Sequence, residues 1–304
     1  MRICSLLPSA TEIAFALGLG DAVVGVTHEC DYPADARQKP ILVRSWIDPN
    51  QMTSLEIDSR VSERLRSNKA LYILDEERLR EAAPDVILTQ GLCDVCALDY
   101  SEVVSAAEAL PKKPKVVSLT PHSLTHVLTD VIRIGEATDR RKDAESLCQT
   151  LTHRISAVRD PAALLTGRPR VACLEWFDPI YAAGHWLPEM VDLAGGRDCL
   201  GQKGEPSAKI EWQRIVESRP DVVVLMPCGF DAQRAAMEAT SLKRRAGWHD
   251  LPAVKTGRVY AVNGSAYFSR PGPRLVDGLE ILANIIHPES FPSANFPDSV
   301  QRIS

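Results

Sequence analysis

Two stretches of this chain repeat one pattern: Ala83-Pro84-Asp85-Val86-Ile87-Leu88 and Arg219-Pro220-Asp221-Val222-Val223-Val224-Leu225. In each, a segment with helical spacing stops at Pro-Asp, because proline has no amide with which to continue a helix. A short apolar run follows and reads as a buried strand. Each run then opens into a cysteine-bearing loop, residues 89–96 in the first copy and 226–230 in the second. A helix–strand–loop unit used twice in 304 residues constrains the chain to two α/β lobes. It also sets both loops at strand carboxyl ends, where open parallel sheets collect ligands.

The rest of the chain fills in around these two units. Ile3 to Leu7 reads as a first strand, and Ser9-Ala10-Thr11-Glu12 has the spacing of a capping box, with Ser9 opening a helix that runs to Leu17. Strands are expected at 23–26, 86–88 and 116–119, and helices at 55–65, 76–83 and 99–110. Apolar residues at helical spacing mark two helices within 123–159, with Pro161 and Gly167 ending that stretch. The pattern then restarts with strands at 171–174, 222–225 and 259–262 and a last helix from Arg270 to about Ile286. The expected organisation is an N-terminal lobe over 1–120, a helical connector over 121–167 and a C-terminal lobe over 168–304. The tail 288–304, rich in Pro, Ser and Asn, reads as loosely packed.

Charge and hydropathy narrow the partners. A net charge of -5 without a basic stripe speaks against a nucleic-acid or anionic-membrane surface. No apolar run approaches the roughly 20 residues that span a bilayer. Met1-Arg2 runs straight into the first strand with no leader, which implies a cytoplasmic chain as written, or a periplasmic one from which a leader was removed. Reduced thiols are then expected for the eight cysteines.

Cys93 and Cys96 form a C-x-x-C pair, whose spacing suits two thiolates on one metal or a reducible disulfide; Asp94 between them disfavours a neighbouring thiolate and so the redox reading. Cys30, His28 or Cys228 could complete a zinc set, and Cys30, Cys93 and Cys96 could hold an iron–sulfur cluster. The alternative is that free cysteines pack as small hydrophobes, which is the reading for Cys4, Cys148, Cys173 and Cys199. His185 lies in the small-residue turn Ala183-Gly184-His185-Trp186 and is expected to face a ligand. His122, His126, His153, His249 and His287 read as structural or solvated. Trp176, Phe177, Tyr181, Trp186, Phe230, Tyr267 and Phe268 gather on expected loops, as a cleft for a large flat ligand would require. Arg270 and Arg274, before the last helix, could hold an anionic or amide group, or pair with surface acids. No Ser/His/Asp order, P-loop or Rossmann glycine fingerprint is present, so an enzyme is not the expectation.

Ser5-Leu6-Leu7-Pro8-Ser9-Ala10-Thr11-Glu12, Val24-Gly25-Val26-Thr27, Asp31-Tyr32-Pro33 and Pro84-Asp85-Val86-Ile87, with 179–184, 193–196 and 269–274 in the second half, resemble the cobalamin-binding members of the periplasmic substrate-binding proteins of ABC importers. The resemblance covers nearly the whole chain. It implies two Rossmann-like α/β lobes joined by a long backbone helix, a class III periplasmic-binding-protein fold, with a corrinoid held in the cleft between the lobes and passed to an ABC permease. Relatives in that family bind siderophores and haem. Carried onto this sequence, Tyr32, Gln90, Tyr181, Trp186 and Phe268 are implied ligand contacts, to which the residue reading adds Trp176, His185, Phe230 and Arg270. The cysteine-bearing loops depart from the family pattern, and they keep open the alternative of a cytoplasmic metal- or iron–sulfur-binding protein.

Overall fold

Residues Ile3 and Cys4 show how the first sheet is made. Ile3 packs into one apolar cluster with Leu7, Ile13, Val86 and Leu88, while Cys4 packs into another with Leu42, Leu79 and Ile87. Successive side chains thus face opposite layers of helices, as the two-residue strand period demands. The computed structural model describes residues 1–67, 69–91, 98–292 and 298–303; Cys93 and Cys96 lie outside them.

The chain makes two units, one of Met1–Met52, Ser59–Pro121 and Thr125–Thr150, the other of Thr53–Asp58, His122–Leu124 and Leu151–Ser304. The first holds β1 (Ile3–Ser5), β2 (Val23–Thr27), β3 (Ile41–Ser45), β4 (Tyr72–Leu74), β5 (Val86–Gln90) and β6 (Lys115–Leu119) in the order β4-β3-β2-β1-β5-β6. All neighbours are parallel except β3 and β4. The order reverses beside β1, with β2 on one side and β5 on the other, so a crevice-forming switch point lies at their carboxyl ends. The helices of this part of the chain are α1 (Pro8–Ala16), α2 (Ser54–Arg66), α3 (Glu76–Ala82), α4 (Tyr100–Glu108), α5 (Leu124–Ala137) and α6 (Arg141–Ala162).

The second sheet contains β7 (Arg170–Phe177), β8 (Ile180–Ala182), β9 (Arg197–Asp198), β10 (Ala208–Lys209), β11 (Val222–Leu225), β12 (Val259–Val262) and β13 (Val300–Arg302), ordered β10-β8-β7-β11-β12-β13 with β9 also on β7. Its helices are α7 (Leu187–Leu193), α8 (Trp212–Ser218), α9 (Ala232–Glu238), α10 (Thr240–Lys243), α11 (Pro252–Lys255), α12 (Gly264–Tyr267) and α13 (Leu275–Ile286). Strands β7, β11 and β12 run parallel through its centre, and β11 is buried along its whole length. The fold class is the two-unit α/β arrangement expected from the repeated Pro-Asp-strand pattern.

Three local expectations are corrected. Helix α1 begins at Pro8, and Leu7 rather than Ser9 is its N-cap, with no side-chain cap bond. Proline's preset φ and missing amide suit the first helical position, which leaves the Ser9 hydroxyl buried inside the helix with no partner. Helix α6 runs over Pro161 instead of stopping before it; the proline sits in the last turn, where the Ala163 amide still reaches the Arg159 carbonyl. The described residues at the end of the tail, 298–303, are packed, not loose. Strand β13 pairs antiparallel with β12, Tyr260 opposite Arg302 and Val262 opposite Val300, and Ile303 joins the core beneath that sheet. Among the described residues no helix is long and apolar enough to cross a membrane.

Candidate ligand site

In the second unit Trp176, Phe230, Tyr267 and Phe268 lie at or just beyond the carboxyl ends of β7, β11 and β12. Trp176, next to last in β7, lies opposite Tyr181 on β8, so the antiparallel hairpin brings an indole and a phenol side by side. After β11, Gly229 takes a left-handed φ of 77°, a conformation glycine adopts without steric cost, and the turn delivers Phe230 against Trp176 at 5.4 Å between ring centroids. The Arg234 guanidinium, on the first turn of α9, lies 3.7 Å over the Phe230 ring, a cation–π contact. The Trp176 indole donates to the Ser54 carbonyl at 3.3 Å, and the Ser54 hydroxyl donates to Glu238 at 3.0 Å.

A second group forms where β8 turns into α7. A side chain on Gly184 would meet the backbone of residues 205–207 at 2.5 Å, so only glycine fits. His185 follows with φ of 52°, pinned on both sides: its amide donates to the Glu205 carbonyl at 2.6 Å and its carbonyl accepts from Gly204 at 2.9 Å. Its imidazole stacks on Trp186 at 5.5 Å and faces the His122 ring at 5.9 Å. Burial holds the His185 ring below its ordinary pKa, and the neighbouring His122 adds to the effect. The Nδ1 of His185 is buried with no hydrogen-bond partner. Trp186 donates its indole N–H to the Phe268 carbonyl at 2.8 Å.

The ligand residues expected from the sequence therefore fall into two sorts. Trp176, Tyr181, His185 and Arg270 are half-buried at this edge, whereas Trp186, Phe230 and Phe268 are 5%, 2% and 2% exposed and present their rings mainly to protein. In the first unit Gln90 is buried at the end of β5 and Tyr32 is 48% exposed. His122, read from the sequence as structural or solvated, packs against His185. It leaves β6 on the same kind of strand-exit loop as the residues that were singled out, and that position is the one signal that could have found it. Arg234 and Ser54 carried no local signal.

The expected metal ligands are placed differently. The Cys30 sulfur lies 3.0 Å from the Thr11 hydroxyl and 3.4 Å from that of Thr27. Thr11 has one proton to give, and its oxygen also lies 2.8 Å from the Ser5 hydroxyl and 3.3 Å from the Leu7 carbonyl. When that proton serves either of these, the Cys30 thiol is the donor to Thr11. His28 Nδ1 is 3.3 Å from the Val43 carbonyl. Cys228 is exposed. Among the described residues no three His, Cys, Asp or Glu side chains gather as an ion would require.

Comparison with known proteins is consistent with this architecture. The family model described as periplasmic binding protein matches residues 3–266. An uncharacterized ABC transporter substrate-binding lipoprotein of Bacillus subtilis is 25% identical over 295 residues, covering 95% of this chain and 81% of that protein. A vitamin B12-binding protein of Vibrio cholerae is 26% identical over 299 residues, covering 92% and 86%. Among solved structures, a periplasmic heme-binding protein of Pseudomonas aeruginosa superposes with a TM-score of 0.74 at 18% identity, over 100% of this chain and 98% of the other.

Proposed function

The chain belongs to the periplasmic binding protein family, and we propose that it binds a corrinoid and hands it to the permease of an ABC importer. The observation that carries this reading is the pair of half-buried rings at the carboxyl end of β7, Trp176 opposite Tyr181, backed by the buried Phe230 ring with Arg234 over it. A corrin is a broad, largely apolar plate edged with amides. Rigid aromatic side chains cover such a plate at small cost in conformational entropy, and the guanidinium and nearby backbone groups are suited to its polar rim. The vitamin B12-binding relative, alike over 92% of this chain, supports the same ligand class. The role is binding and release, with no bond made or broken, and it places the protein on the side of the membrane from which the permease imports, not in the cytoplasm.

The test is calorimetric titration of the purified chain with cyanocobalamin, with haemin and a ferric siderophore as comparators. One-to-one binding of cyanocobalamin, weakened about tenfold or more (~1.4 kcal/mol) by Trp176→Ala, is expected. Saturable binding of haemin or the ferric chelate alone would replace the corrinoid with an iron complex as the cargo.

A further inference from the structure

The turn between β8 and α7 holds an imidazole in a way that its packing alone does not require. His185 is in the left-handed region, where a residue with a Cβ is strained unless the surroundings enforce it, and here both of its backbone groups are held, by Glu205 and Gly204. The conformation aims the ring at His122 while leaving Nδ1 buried and unpartnered, which costs about 1–3 kcal/mol in a finished core. A polar atom so placed calls for a partner.

We propose that His122 and His185 together bind one divalent transition-metal ion of the imidazole-preferring kind, such as cobalt, nickel, copper or zinc. Two imidazoles bonded to one ion at ~2.1 Å each bring their ring centroids to within roughly 6.4 Å of one another, and these rings are 5.9 Å apart. The segments that carry them share an anchor: the Leu124 amide, two residues after His122, donates to the carboxylate of Glu189 in the first turn of α7 at 2.9 Å. Trp186 stacks on His185 and is itself fixed by its bond to Phe268, so the orientation of that ring is set before any ion arrives. Two protein donors leave further coordination positions for water or for donor atoms of a carried molecule, the arrangement of an open site. Imidazole nitrogen favours these ions over magnesium and calcium. The site is independent of the corrinoid reading.

The experiment adds Co²⁺ or Cu²⁺ to the purified full chain and compares it with His122→Gln, His185→Asn and the double variant. Asparagine tolerates the left-handed backbone, so His185→Asn removes the imidazole and keeps the turn. The expected result is one equivalent of ion per chain, a Cu²⁺ paramagnetic resonance spectrum with two nitrogen couplings, and affinity lowered more than about tenfold by either substitution. His249→Gln, on the exposed surface, should leave it unchanged. Were a variant to misfold, protection of His122 and His185 from diethyl pyrocarbonate by Co²⁺ in the unaltered chain would carry the test. Absence of binding, unchanged affinity in the double variant, or a thiolate charge-transfer band with Co²⁺, which would put the ion on cysteines, overturns the proposal. A corrinoid titration that fails while the ion binds would leave this site standing, and the reverse holds too.

Discussion

Arg154 grips Glu280 with two hydrogen bonds, Nε to Oε1 at 2.9 Å and Nη2 to Oε2 at 2.7 Å, and the same Nη2 reaches Asp277 at 2.6 Å. One guanidinium on α6 thus holds two carboxylates a turn apart on α13. The fork geometry suits arginine and not lysine. Burial still pushes the Asp277 carboxyl up, against the pull of Arg154. Arg154→Ala leaves two half-buried acids facing each other and should cost about 1–3 kcal/mol, a range discounted for partial exposure. Arg154→Lys should fall between. Denaturant midpoints of the two variants, measured side by side, check the order.

Asp130 makes stability depend on pH. Burial raises its carboxyl to about 6, with Arg133 and His126 opposing, and one carboxylate oxygen has no partner. The folded value lies above the unfolded value of about 3.9, so between pH 4 and 6 the folded state holds a proton that the unfolded state has lost. Stability contributed by this group is therefore present at low pH and declines as pH rises through that window, by on the order of 2–3 kcal/mol. Asp130→Asn should flatten the decline and stabilise α5 at pH 8. Amide hydrogen exchange along 124–137 at pH 5 and pH 8 reads both effects; equal pH dependence in the variant would refute the assignment.

Gly184→Ala should be among the most damaging single-methyl additions in the second unit. The new carbon would press on backbone atoms of residues 205–207, which cannot rotate away as a side chain can. A loss of at least ~2 kcal/mol is expected, with a changed near-ultraviolet circular dichroism signal as Trp186 loses its setting.

Cysteine reactivity should follow burial. In native protein Cys228, which is exposed, should take up iodoacetamide well before Cys4, whose thiol burial pushes up to about 12, and before fully buried Cys173, whose thiol burial also holds well above its ordinary value. Cys30, 4% exposed, should stay unmodified with these buried cysteines. Peptide mapping after timed alkylation ranks the sites.

What could be read from the sequence was what rests on contiguous pattern. Strands β5 and β11 were legible because Pro-Asp stops a helix just before an uninterrupted apolar run. Strands β4, β10 and β13 were not, since two or three residues at a sheet edge carry too little periodicity to stand out from a loop. The Ser9 capping box failed because Pro8 offered a better first helical residue one position earlier. At the site, the Gly184-His185-Trp186 turn announced itself by its small residues, but His122 is 63 positions away and only the fold brings its ring to His185. The aromatic residues were found; which of them are covered by protein, as Phe230 and Phe268 are, depends on packing that no local spacing encodes.

The second unit takes in residues 53–58 and 122–124, which are embedded in the stretch of chain that otherwise builds the first. Ser54 holds both the Trp176 indole and Glu238, and Leu124 holds Glu189. A gene fragment beginning at residue 151 would thus encode the second sheet without the residues that hold Trp176, Glu238 and Glu189. The two halves repeat one design, yet neither could be exchanged between genes by a single crossover: a recombinant joined at the connector would inherit a second half whose Trp176 and Glu189 depend on Ser54 and Leu124 from the other parent.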